Sequence, residues 1–88
     1  MATPYGPTAA QFRDMLEAYL SNLHDISVCE VPSDVEGMHA FYVASYPAEY
    51  IRYVYYDTAD NQTAAEFNCR ELTNCVLDIY EWARMVEW

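Results

Sequence analysis

Residues Thr63 to Trp88 read TAAEFNCRELTNCVLDIYEWARMVEW, and within them Leu72, Cys75, Val76, Ile79, Tyr80, Ala83 and Val86 recur at intervals of three and four. That spacing stacks the side chains on one face of an α-helix, so the sequence predicts a C-terminal helix of about six to seven turns. Thr63 is followed three residues later by Glu66. The pair reads as a capping box, in which the hydroxyl accepts from the third helical N–H and the carboxylate reaches back to the N–H of the cap. Val76 and Ile79 mark the centre of the expected core stripe. Glu66, Arg70, Glu71, Asn74, Asp78 and Glu81 lie opposite it, where water solvates them. Leu77, Trp82, Met85 and Trp88 fall on or beyond the edge of the stripe, as apolar surface that the core does not use and that an interface would.

Upstream, everything is sized to cover that stripe. Pro4, Gly6 and Pro7 interrupt regular structure, and Thr8 with Gln11 three residues on forms a second capping box. Phe12, Met15, Leu16, Tyr19, Leu20 and Leu23 then face one way and Arg13, Asp14, Glu17 and Ser21 the other, which predicts a helix over roughly residues 9 to 23. Its acidic outer face argues for a core helix rather than one lying on a membrane surface, which needs basic residues there. Ile26–Val31 is short and β-branched, and Pro32-Ser33-Asp34-Val35-Glu36-Gly37 has turn composition. Met38–Tyr46 sets Met38, Ala40, Tyr42, Ala44 and Tyr46 against His39, Phe41, Val43 and Ser45. After a turn at Pro47-Ala48-Glu49, Tyr50–Tyr56 sets Ile51, Tyr53 and Tyr55 against Tyr50, Arg52, Val54 and Tyr56. Such compositions fit strands, and Asp57 to Gln62 reads as the polar loop into the last helix.

The expected fold is α+β in the order α-β-β-β-α. Short connections make the sheet a three-stranded antiparallel meander, and both amphipathic helices pack on one of its faces. The other face is left to tyrosines, Arg52 and small residues. At 88 residues the chain is expected to form a single domain, of a size that buries only about 60 to 65% of its unfolded surface and so needs a dense core. A hydrophobic fraction of 53% with nine tyrosines supplies it.

Fourteen carboxylates face four arginines and no lysine, a net charge of −10. This exceeds the roughly 2 to 8 units usual for a small domain. The imbalance repels nucleic-acid phosphate and anionic lipid and attracts basic partners. No basic start followed by an apolar run marks a signal peptide, and no run approaches the ~18 apolar residues of a membrane span. A cytoplasmic protein with reduced thiols is therefore expected. Cys69 and Cys75 are separated by roughly 9 Å of helical rise, too far for a disulfide. Cys29, Cys69, Cys75, His24 and His39 show no metal-ligand spacing, and neither a metal nor a cofactor is expected.

Catalytic signatures are missing from the sequence, and the expectation is a non-enzymatic protein. Glu30, Asp34 and Glu36, or Asp57 and Asp60, would need a pocket to tune them for acid–base work. Asp57, Asp60 and Asn61 lack the glycine and closing glutamate of a calcium loop. His24 reads as a helix-end residue bonding terminal carbonyls. The sequon Asn61-Gln62-Thr63 is set aside, because a cytosolic chain would not meet the glycosyltransferase and Thr63 already has a capping role.

Tyr42, Tyr46, Tyr50, Tyr53, Tyr55 and Tyr56 would suit a base-stacking sheet only in a positive groove, and the charge excludes one. Tyrosine beside acids fits a protein interface, where aromatic area anchors and carboxylates steer. In this lysine-free, acidic helix–sheet–helix layout the chain resembles, as a class, the small phage-encoded anti-CRISPR proteins. That resemblance implies a DNA-mimicking inhibitor acting in the host cytoplasm on a basic, nucleic-acid-binding target. Competing expectations are an immunity protein or antitoxin facing a basic toxin, and a structural homodimer. Candidate partner-binding residues are Glu30, Asp34 and Glu36, then Glu49, Asp57 and Asp60 at the sheet ends, then Glu71, Asp78 and Glu81 on the last helix, with Trp82, Met85 and Trp88 as apolar anchors.

Overall fold

A computed structural model describes residues 5–23, 26–46 and 50–85. The elements are α1 (Ala9–Leu20), β1 (Ile26–Val31), β2 (Met38–Ser45), β3 (Ile51–Asp57) and α2 (Gln62–Met85), the α+β order expected. The Pro47-Ala48-Glu49 turn, His24, Val86 and Trp88 lie outside the described residues.

Thr8 opens α1 with both halves of the capping box: the Gln11 N–H donates to Thr8 Oγ1 (3.2 Å) and the Thr8 N–H to Gln11 Oε1 (2.9 Å). The helix stops at Leu20, three residues short of expectation, because Ser21 turns its own hydroxyl onto the Ala18 carbonyl (2.8 Å) and the Leu23 N–H bonds the Leu20 carbonyl (3.0 Å). A local side-chain bond of this kind competes with helical propagation. Leu23 still packs against the core from the turn.

Strand order is β1-β2-β3, antiparallel throughout. Val28 stands opposite Val43, which stands opposite Arg52; Glu30 stands opposite Phe41, which stands opposite Val54. The helices cover the face carrying Val28, Phe41, Val43, Val54 and Tyr56. Phe12 from α1 enters it with ring centroids 5.8 Å from Phe41 and 5.2 Å from Tyr56, and Leu16, Leu72, Cys75 and Ile79 complete the cluster. Tyr56 keeps its hydroxyl satisfied by donating to the Pro7 carbonyl (2.7 Å). Arg52 belongs to this covered face and not, as expected, to the open one. Strand alternation puts it beside Val54 and Tyr56, and Asp78 of α2 supplies the counter-charge that makes the position tolerable.

The start of α2 also differs from expectation. Asn61, not Thr63, is the cap: its Oδ1 accepts from the Ala64 N–H (2.8 Å) and its carbonyl from the Ala65 N–H (3.1 Å). Asn is among the strongest caps and somewhat better than Thr. The buried line is Ala64, Asn68, Leu72, Cys75, Ile79 and Ala83, while Val76, expected at the centre, is only partly buried. The stripe is turned because Asn68 is used against β3. The Asp57 N–H donates to Asn68 Oδ1 (2.7 Å), Asn68 Nδ2 donates to the Asp57 carbonyl (3.1 Å), and the Tyr55 N–H donates to Glu71 Oε1 (3.2 Å). Side chains of α2 thus occupy part of the edge where a fourth strand would bind. Among the described residues no helix is long and apolar enough to cross a membrane.

Four substitutions test this packing by denaturant unfolding. Ile79→Ala should cost about 2–5 kcal/mol and Val76→Ala about 1, whereas the exposed Leu77→Ala should stay within about 0.5; equal losses at Ile79 and Leu77 would show the helix face misassigned. Asn68→Ala, which strips both partners from the Asp57 backbone, should cost about 2–3 kcal/mol despite removing no apolar contact. A loss below about 0.5 kcal/mol would mean that water replaces the clamp freely.

Candidate partner-binding surface

Acidic residues collect where β1 turns into β2 and β3 runs into α2. Gly37 takes φ 79°, a value that glycine adopts without strain, and so allows the chain to enter β2. The Ser33 hydroxyl braces the turn, accepting from the Val35 N–H (3.1 Å) and donating to the Val35 carbonyl (3.0 Å). Thr58 then ties the two connections together, its N–H (3.0 Å) and Oγ1 (2.7 Å) both donating to the Gly37 carbonyl. Asp34, Glu36, Asp57 and Asp60 consequently share one end of the sheet, with Met38 directly opposite Asp57. Asp34, Glu36 and Asp60 are exposed, and half-buried Asp57 accepts the Ala59 N–H on Oδ1 (2.9 Å).

The remaining candidates are distributed differently. Glu30 contacts His39 Nδ1 at 2.7 Å, a cross-strand diagonal. Glu71 is spent on the Tyr55 N–H, and Asp78 accepts both the Tyr50 hydroxyl and Arg52 Nη1, the latter at 3.1 Å. Neither of these two α2 carboxylates is unengaged. Glu81 and Met85 are exposed. Trp82 is half-buried, its ring 5.2 Å from that of Tyr50, so it packs over the end of the core. Glu49 and Trp88 lie outside the described residues.

Opposite the helices, the sheet presents Ser27, Cys29 and Val31 from β1, Met38, Ala40, Tyr42 and Ala44 from β2, and Ile51, Tyr53 and Tyr55 from β3. One rung runs Cys29, Tyr42, Tyr53, and the two tyrosine rings meet edge-on at 5.4 Å. Tyr46, Ile51 and Tyr53 stand among the exposed large hydrophobic residues. The period-two alternation sorts these residues onto one side in sequence, without showing which side the helices cover. What it could not show is that none of the arginines stands on it: Arg13 pairs with Glu17 (3.1 Å) and Arg52 with Asp78 (3.1 Å), while Arg70 and Arg84 lie on α2.

Burial governs the titratable cluster between β3 and α2. Burial, reinforced by Asp78, raises the Tyr50 hydroxyl well above its ordinary range. Burial first, with Asp78 and Glu71 adding to it and Arg52 opposing, pushes the Cys75 thiol from 9.0 to about 11. A thiol protonated at neutral pH is a poor nucleophile. Among the described residues no group of three or more His, Cys, Asp or Glu side chains converges to hold a metal ion. Comparison with known protein families, with curated proteins and with solved structures finds none that matches.

The Cys75 shift gives a pH dependence of definite sign. Above pH 9.0 the unfolded chain releases a proton that the folded chain holds until about 11, so stability is complete below that window and falls through it, by up to about 1.4 kcal/mol per pH unit. Cys75→Ala should reduce the slope by one proton in urea titrations across this range. An unchanged slope would show that Cys75 does not titrate there.

Proposed function

We propose that this chain is an acidic protein-binding module that covers the basic surface of a nucleic-acid-binding machine and keeps nucleic acid from it, in the manner of an anti-CRISPR or DNA-mimic inhibitor. The observation that carries this reading is the fate of the charges. Of four arginines set against fourteen carboxylates, Arg13 and Arg52 are neutralised internally. The surface is left with carboxylates that have no matching cations, several of them at one end of the sheet. Exposed pairs contribute only about 0–1 kcal/mol each, so such a surface works by number and steers a basic partner from a distance. On this reading the chain acts in the cytoplasm of the host cell, on a protein target, without touching nucleic acid or membrane itself and without cofactor or catalysis. A basic toxin as the target is the related alternative, since the same charge serves it. A homodimer is the other, favoured by exposed Leu77 and Met85 on α2.

The test is binding to the target captured from host lysate, measured across salt and with its nucleic acid present or absent. Affinity should fall as salt rises, and the chain should displace the nucleic acid. Asp34→Lys, Glu36→Lys and Asp60→Lys together should weaken binding at least about tenfold, three pairs of roughly 0.5 kcal/mol each, while leaving the melting temperature within a few degrees. Binding indifferent to salt by a target that still holds its DNA or RNA would overturn the proposal.

A further inference from the structure

We infer that the open sheet face is the docking surface, and that its occupant is a single basic, amphipathic segment of a partner protein. The inference rests on the reading of the chain as an acidic binding module and says where the contact is made. Two large apolar side chains stand out on this face, Ile51 at 52% and Tyr53 at 53% exposure, around the half-buried Tyr42 and Tyr55, and Tyr46, 78% exposed, follows in the turn after β2. Aromatic rings of this kind bring large contact area at small entropic cost, and their faces attract guanidinium groups.

Charge complementarity selects the occupant. The face carries no arginine, and at the Met38–Asp57 rung it meets the acidic end formed by Asp34, Glu36, Asp57 and Asp60. An apolar centre bordered by carboxylates matches a segment with apolar side chains on one side and arginine or lysine at its margin. A second copy of this chain would set two such acidic borders against each other. Size argues the same way. Three strands about 4.8 Å apart set the outer strands roughly 10 Å from each other, and seven residues of strand run roughly 20 Å. That plan is the width of one helix. At roughly 200–300 Å² it falls well short of the ~800 Å² per partner of a standard stable interface.

Two cysteines provide the readout. Cys29 is exposed in the Cys29–Tyr42–Tyr53 rung, and Cys69 is exposed on α2. Cys69 sits roughly 200° round that helix from Glu71, the residue that faces β3, so it reports the flank away from the sheet. Buried Cys75 stays silent. The probe is a synthetic amphipathic peptide of arginine and leucine, with an arginine–serine peptide as the charge-only control, and the measurement is the rate of iodoacetamide labelling at each thiol.

The expected result is that the arginine–leucine peptide slows labelling of Cys29 about tenfold without changing Cys69, that added salt reverses the effect, and that the control peptide protects far less. Ile51→Ser with Tyr53→Ser, both on the exposed side of an edge strand, should abolish protection. Asp34→Lys with Glu36→Lys should weaken it without touching the sheet at all, so the result does not depend on one variant's folding. Binding that protects Cys69, or neither thiol, would overturn the sheet face as the site and leave the acidic-module reading intact. Protection of Cys29 that grows with protein concentration before any peptide is added would overturn the peptide assignment in favour of a second copy. No binding of either peptide at low salt would overturn both readings.

Discussion

The outer edge of β3 is the constraint on which the rest of this structure depends. A three-stranded sheet leaves two rows of backbone N–H and C=O groups without strand partners, and such edges invite aggregation unless they are covered. Here Asn68 closes a two-point bond on the Asp57 backbone and Glu71 takes the Tyr55 N–H. Those bonds fix where α2 lies along the sheet and how it is rotated. Once Asn68 faces β3, the 3.6-residue repeat carries Leu72, Cys75 and Ile79 into the core and brings Asp78 to Arg52 and Tyr50. The far edge is treated more lightly, by one bond from Arg13 Nη2 to the Val28 carbonyl (3.3 Å).

Most of the architecture was readable because local signals agreed with one another. The Thr8 box, the stripe of α1 and the alternation in β2 and β3 each pointed to the observed element, and short connections left the meander as the natural topology. The errors arose where a long-range contact decides. Asn68 stands in line with Ala64 and Leu72, yet apolar periodicity passes over a polar residue, and only the β3 backbone explains its burial. Arg52 lies on the covered face rather than the open one, with its partner, Asp78, twenty-six positions away in sequence. Asn61 and Thr63 are competing caps two residues apart, separated by an energy too small for sequence to rank securely. Among the candidate carboxylates, sequence could not tell their allegiance, since one that braces a strand edge, as Glu71 does, reads the same as one left exposed.

That division of the carboxylates bears on function. Glu71 and Asp78 are bound into the contact between α2 and β3, so their charge is partly committed to the fold. Asp34, Glu36 and Asp60 stand exposed at one end of the sheet, where mutual repulsion works against stability rather than for it. A chain with a small core and a marginal free energy carries that repulsion without recovering it in internal ion pairs. A basic partner would relieve it, and the relief would add to the free energy of association.

The acidic end and the tyrosine face act over different distances, which gives the proposed contact two separable halves. Carboxylates attract across roughly a Debye length, about 8 Å at physiological ionic strength, so they would govern how often a basic segment arrives and in which orientation. Tyr53, Ile51 and Tyr42 would act only in contact and so would govern how long it stays, and most differences in affinity among related complexes lie in that departure rate. On a plan only one helix wide, neither half suffices. Charge alone would hold many basic surfaces weakly, and the apolar rung alone offers too little area for a lasting grip. Specificity would then reside in the distance between a partner's apolar residues and its cations, set on this side by the span from the Cys29–Tyr42–Tyr53 rung to the Met38–Asp57 rung. That span is four residues of strand, roughly 13 Å, or a little over two turns of a docked helix.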